Sequence, residues 1–188
     1  ELMLLDIEEA ESEQMTLLAA SEADALDIRN YVTSVVTKKL VGGRWISTTD
    51  FTDGDNIQVR VNYTIPSNTI PGDTISYILP AGMTIKDGEL ENLQDIRVTQ
   101  NGVTVGHAQI VYDQATGLYT FVITFNTDET SLPAGEATFN PQESFNGNFM
   151  IQATVSAGDD NTDREMNFGG NSNIITIKHQ ETGSETGD

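Results

Sequence analysis

Residues 57–65, Ile-Gln-Val-Arg-Val-Asn-Tyr-Thr-Ile, alternate apolar and polar side chains without interruption. A period of two places Ile57, Val59, Val61, Tyr63 and Ile65 on one face and Gln58, Arg60, Asn62 and Thr64 on the other, the signature of a half-buried β-strand. Pro66 has no N–H to give a ladder and ends it. One apolar face requires a second apolar layer to cover it, and the rest of the chain supplies strands of the same kind. Tyr31–Val41 is rich in β-branched residues and stops at Gly42-Gly43, a turn signal, with Arg44–Thr48 as its hairpin partner. Thr74–Leu79, Ile96–Thr99, Val103–Tyr112, Leu118–Phe125, Phe149–Val155 and Ile174–Lys178 follow, separated by Gly, Pro, Asn and Asp. Short strands recurring about every ten residues predict an all-β fold, an antiparallel sandwich. No internal repeat is visible.

The ends differ in kind. Residues 1–27 hold nine acids and no base, lack Gly and Pro, and are built mainly from Leu, Met, Ala and Glu, all good helix formers. Leu4, Ile7, Glu11, Met15 and Leu18 stand three and four apart, so this segment is expected to be helical over part of residues 2–19, with Leu4, Ile7, Met15 and Leu18 packed against protein. The plainer alternative is a solvated acidic leader. Residues 181–188 are polar and have the composition of a linker to a following domain. The expected organisation is therefore 1–27 acidic segment, 28–180 β-sandwich and 181–188 linker. The longest apolar run, Leu2–Leu5, cannot span a bilayer, and any export signal or anchor is expected to lie outside this stretch of sequence.

Composition narrows the function. Against 29 Asp and Glu stand 9 Lys and Arg, a formal charge of −20, which argues against nucleic acid and anionic membranes, since both are bound by cationic side chains. The absence of Cys removes disulfides, thiolate metal sites and Cys nucleophiles, and the two His leave little material for His-based catalysis. The chain is expected not to be an enzyme and to need no cofactor.

Three kinds of residue are the remaining candidates for chemistry. The loop Asp50-Phe-Thr-Asp-Gly-Asp-Asn56 lacks EF-hand spacing and reads first as a turn. Asp159, Asp160 and Asp163 form a denser carboxylate group and are the candidate Ca²⁺ ligands. His107, within a strand, and His179, at the end of one, read as surface or edge residues. Trp45, the only Trp, is either a core anchor or an exposed contact residue. Finally, a Lys and an Asn buried together beside a carboxyl group condense to an amide with loss of ammonia, because burial favours the neutral amine and the protonated acid. Lys38 shares its strand face with Val36 and Leu40 and is the candidate amine, with Asn173 or Asn171 as its partner. The opposing reading places Lys38 and Lys39 on an exposed edge that discourages pairing between molecules, and the expectation is that no crosslink forms.

Thr52-Asp-Gly-Asp55, the strand 57–65, Thr69-Ile-Pro-Gly-Asp-Thr74, Tyr77-Ile-Leu-Pro-Ala-Gly82 and Gly102-Val-Thr-Val-Gly106 occur in an order and spacing that carry a resemblance. It continues through Phe125-Asn126, residues 145–155 and 173–178. Over roughly residues 31–179 the chain resembles the N-terminal adhesion domains of Gram-positive cell-wall surface proteins, the collagen-adhesin and pilin-like MSCRAMM family. The resemblance implies a variant immunoglobulin-like sandwich, secreted, anchored to the cell wall through other regions, that binds a host extracellular protein such as a matrix component or immunoglobulin. No binding residue of that family maps onto this chain by motif. The alternative function is a structural stalk or pilin-like module with no ligand of its own; a carbohydrate-binding or hydrolytic sandwich is more distant, since no aromatic platform is visible. The identity of the ligand and the oligomeric state are not legible here.

Overall fold

The computed structural model describes residues 26–128, 131–170 and 173–180. The helix expected within residues 2–19 and the linker 181–188 lie outside the described residues. The described residues form thirteen strands: β1 (Leu26–Asp27), β2 (Val32–Val41), β3 (Arg44–Ser47), β4 (Asp50–Thr52), β5 (Asn56–Tyr63), β6 (Thr74–Ile78), β7 (Met83–Thr84), β8 (Ile96–Gln100), β9 (Val103–Asp113), β10 (Leu118–Phe125), β11 (Gly147–Val155), β12 (Arg164–Asn167) and β13 (Ile174–Lys178). One short helix, α1 (Asp87–Glu91), follows β7.

The alternating segment becomes β5, and its period decides where the core sits. Ile57, Val59, Val61 and Tyr63 are buried, and Arg60 between them is exposed. Ile65 lies beyond the end of the strand and is half-buried. β5 is the centre of a sheet ordered β3-β2-β5-β11-β7, whose inner face also carries Phe149, Ile151, Ala153 and Val155 of β11. A second sheet, β1-β6-β10-β9-β8, turns Ile75, Tyr77, Tyr119, Phe121, Ile123 and Phe125 toward it. The layers meet through aromatic rings: Phe121 stacks on Phe149 with centroids 4.0 Å apart, and Tyr63 meets Phe121 edge-on at 5.8 Å. Phe125, Phe139 and Phe145 close one end of the core. The chain is thus an all-β sandwich of mostly antiparallel strands, as the spacing predicts.

Two tight hairpins follow directly from glycine. Gly42 and Gly43, at φ 58° and 80°, form the two-residue loop between β2 and β3, and Asn101 and Gly102, at φ 52° and 81°, do the same between β8 and β9. Two consecutive left-handed residues match the twist of the strands they join.

Several features depart from expectation. A third small sheet, β12-β13-β4, flanks the sandwich, and its β13–β4 pairing is parallel. β1 pairs in parallel with β6, Leu26 opposite Ile75 and Asp27 opposite Ser76, so the sandwich begins before the expected boundary at residue 28. β2 carries a bulge between Val32 and Ser34 against β5. Before it Val32 points inward; after it Val35 and Thr37 do, and Val36, Lys38 and Leu40 turn outward.

Candidate functional site

The bulge in β2 shapes the outer face of the β3-β2-β5-β11-β7 sheet. Cross-strand register puts Trp45, Leu40, Asn56 and Thr154 in one row, Ser47, Lys38, Gln58 and Gln152 in the next, and Val36, Arg60 and Met150 in the third. Val36, Leu40 and Met150 are 43%, 38% and 39% exposed, and Trp45 is half-buried beside them. Leu40, Trp45, Asn56, Gln152 and Thr154 line a groove of about 130 Å³, rimmed on the far side by Lys86 and by Glu89 of α1. The Arg60 guanidinium donates to Asn148 Oδ1 at 2.8 Å. Among the described residues, no carboxylate lies within 4.0 Å of Lys38, Arg60 or Lys86. A chain of charge −20 therefore presents three cations without a carboxylate partner and four apolar side chains on one face. Trp45 lies on a strand at the sheet's edge and is not one of the core residues.

The opposite sheet carries a different polar cluster. His107 on β9 has Asp95 Oδ1 2.7 Å from Nδ1 and Glu136 Oε1 2.8 Å from Nε2. Neutral imidazole has one N–H, so donating to both carboxylates needs the imidazolium. These hydrogen bonds, Asp95 first and Glu136 second, hold the His107 pKa above its ordinary value. The same contact, with help from the Asn126 amide at 3.1 Å, holds Glu136 below the usual carboxylate range. His107 thus fastens the segment around Glu136 to β9, where the Ala137 N–H also donates to the Thr104 carbonyl. Nothing in the sequence signals this clasp, because its partners stand 12 and 29 residues from His107.

The residues singled out as candidate chemistry are dispersed. Lys38 lies on the outer face, paired across to Ser47 and Gln58, because the bulge reverses the parity of β2; the inward orientation proposed for it is not the one adopted. Asn173 donates to the Gly169 carbonyl in the turn between β12 and β13, and it lies with Val32 against Gly170. Val32 and Lys38 are six residues apart on one strand, about 20 Å, so the two candidate crosslink residues are not brought together. Asn171 lies outside the described residues. The inward lysine is Lys39, whose Nζ stands 3.4 Å from Asp55 Oδ2 and 5.8 Å from the centre of the Phe51 ring.

Asp159 and Asp160 form a short turn in which Asp160 has φ 60°. Asp163 is engaged by His179: its Oδ1 accepts from the His179 backbone N–H at 3.0 Å and ring Nδ1–H at 2.8 Å. Those two bonds, the backbone one foremost, hold the Asp163 pKa below its usual value. Among the described residues no three His, Asp or Glu side chains gather closely enough to hold a metal ion.

A sandwich with Greek-key-like non-sequential neighbours and glycine-built hairpins is immunoglobulin-like in kind, and comparison with known families decides which kind. The family model for the bacterial Ig domain matches residues 50–148, just over half of the chain. The chain belongs to the bacterial Ig domain family. Among curated proteins none matches it. Bacterial Ig-like domains are commonly extracellular and typically non-catalytic. Among the described residues no helix is long and apolar enough to cross a membrane. The matched segment runs from β4 to the first residues of β11 and omits β2 and β3. Trp45 and Leu40, which build one side of the groove, and Lys38 in the next row therefore lie outside what family membership accounts for.

Proposed function

We propose that this bacterial Ig domain is an adhesion module of a Gram-positive, cell-wall-anchored surface protein of the MSCRAMM kind, binding a host extracellular protein, a matrix component or an immunoglobulin. The observation that carries this reading is the open sheet face bearing Trp45, Leu40 and Met150 together with Lys38, Arg60 and Lys86. A spacer gains nothing from a half-buried Trp at an edge strand beside cations without partners, whereas Trp and Arg are the residue types that dominate binding at protein interfaces. The resemblance of residues 31–179 to adhesion domains supports the same reading.

Screening the protein against immobilised matrix proteins, immunoglobulins and glycans tests it. A protein ligand is expected, and Trp45→Ala should weaken it about thirtyfold, equivalent to about 2 kcal/mol. If no ligand binds, the structural stalk or pilin-like reading replaces this one; if a ligand binds and Trp45→Ala leaves its affinity unchanged, this face is not the binding surface.

A further inference from the structure

We propose that the outer face of the β3-β2-β5-β11-β7 sheet is a docking surface for an acidic, apolar polypeptide segment, and that residues 1–25 of the same chain are that segment. This inference names an occupant for the face on which the proposed function rests, but it stands on charge and reach and needs no host ligand. The face offers two apolar pairs, Leu40 with Trp45 and Val36 with Met150, separated by the row of Lys38 and joined by Arg60 and Lys86, and none of these cations has a carboxylate within 4.0 Å among the described residues. Glu89, at the groove's rim, is the acid that stands there.

The first 25 residues have the complementary composition. They contain Glu1, Asp6, Glu8, Glu9, Glu11, Glu13, Glu22 and Asp24 with no Lys or Arg, and they carry Leu2, Met3, Leu4, Leu5, Ile7, Met15, Leu17 and Leu18. Like charges this dense repel one another unless an opposite charge meets them. The other sheet's outer face offers less: there His107 is already held between Asp95 and Glu136, and its neighbours across the strands are one cation, Arg97, on β8 and Thr124 and Thr74 on the other side. Reach is not limiting, since 25 residues extend up to about 80 Å and the ten residues of β2 span about 33 Å. Occupation would cover Trp45, so the segment and a host protein would compete for one face.

Carbodiimide cross-linking of the full chain tests the arrangement. The reagent joins a carboxylate to a nearby lysine amine as an amide, taking up the water that is lost. Peptide mass spectrometry on the monomeric fraction should find links from residues 1–24 to Lys38 and Lys86, absent at about 1 M salt, where screening shortens to about 3 Å. Lys178, on β13, is the internal control and should remain unlinked to these residues. In parallel, the Lys38→Glu/Arg60→Glu/Lys86→Glu variant should show Trp45 emission shifted to the red and more readily quenched by acrylamide than in the wild type. Links spread equally over Lys178 and Lys38 would overturn the proposal. So would links confined to dimers, which would assign the face to a second copy, or unchanged Trp45 quenching. Failure of every host ligand to bind would leave these readouts intact.

Discussion

Gly147 and His107 show how single residues hold this sandwich. A Cβ on Gly147 would come within 2.4 Å of the Tyr63 ring, which is buried among Phe121, Phe145 and Phe149 and has nowhere to move. Gly147→Ala should therefore cost about 1–3 kcal/mol of overpacking, read as a lower denaturant midpoint with an unchanged slope. His107 predicts a pH dependence instead. Its folded pKa is raised above the ordinary 6.5, so its stabilisation is complete below that unfolded value and disappears as pH rises through the folded one. Glu136 acts in the opposite direction: its folded pKa is lowered, so its share is present above its ordinary value and disappears as pH falls through the lowered one. Relative to His107→Gln, the wild type should lose melting temperature as pH rises above the ordinary 6.5 and through the raised folded pKa. A constant difference across that range would mean the clasp is not an ion pair. Neither effect was legible in the sequence, where Gly147 is a glycine among loop residues and Asp95 and Glu136 are two of 29 acids.

Strands are legible where the run is long or a turn signal marks it: β3 buries no side chain and shows itself only through the Gly42-Gly43 turn before it. β10 and β13 begin and end where the β-branched and aromatic runs of Leu118–Phe125 and Ile174–Lys178 do, and β5 follows its alternation. β4, β7 and β12 were missed because a strand of two to four residues has too few positions to display a period of two; they form only where a neighbour offers its edge. β2 is legible as a strand, but which of its faces turns inward is not. A bulge adds one residue opposite β5, and in a structure of period two a single extra residue sends every later side chain to the other side. Lys38 thereby moved from a supposed core position to the outer face, and the candidate site with it. The parity of β5, by contrast, yields a direct test: Val61→Asp places an unpaired carboxylate in the apolar layer and should cost roughly 3 kcal/mol or more, whereas Arg60→Asp, one residue away on the outer face, should stay within about 0.5 kcal/mol. Similar losses in both variants would mean that the strand is not half-buried.

On the scale of the whole molecule, charge sets the conditions under which the fold and its surface operate. Twenty-nine acids against nine bases leave net repulsion in the folded state, and among the described residues Lys39–Asp55 is the one Lys or Arg side chain within 4.0 Å of a carboxylate. Salt acts on both kinds of interaction, but repulsion is summed over many exposed pairs, whereas an exposed ion pair contributes at most about 1 kcal/mol. Raising sodium chloride from about 0.01 M to about 1 M shortens the screening length from about 30 Å to about 3 Å and should raise the melting temperature. A fall would show that local pairs, the His107 clasp foremost, outweigh the global repulsion. The same titration weighs Asp159, Asp160 and Asp163. Divalent chlorides screen diffuse charge alike, so calcium and magnesium at matched ionic strength should raise the melting temperature equally. A built calcium site separates the two ions, because calcium accepts six to eight oxygens in flexible geometry and magnesium demands a small octahedron. With Asp163 already accepting two hydrogen bonds from His179, equal shifts are the expected outcome. A larger calcium shift that Asp163→Asn removes would instead place a metal at that turn.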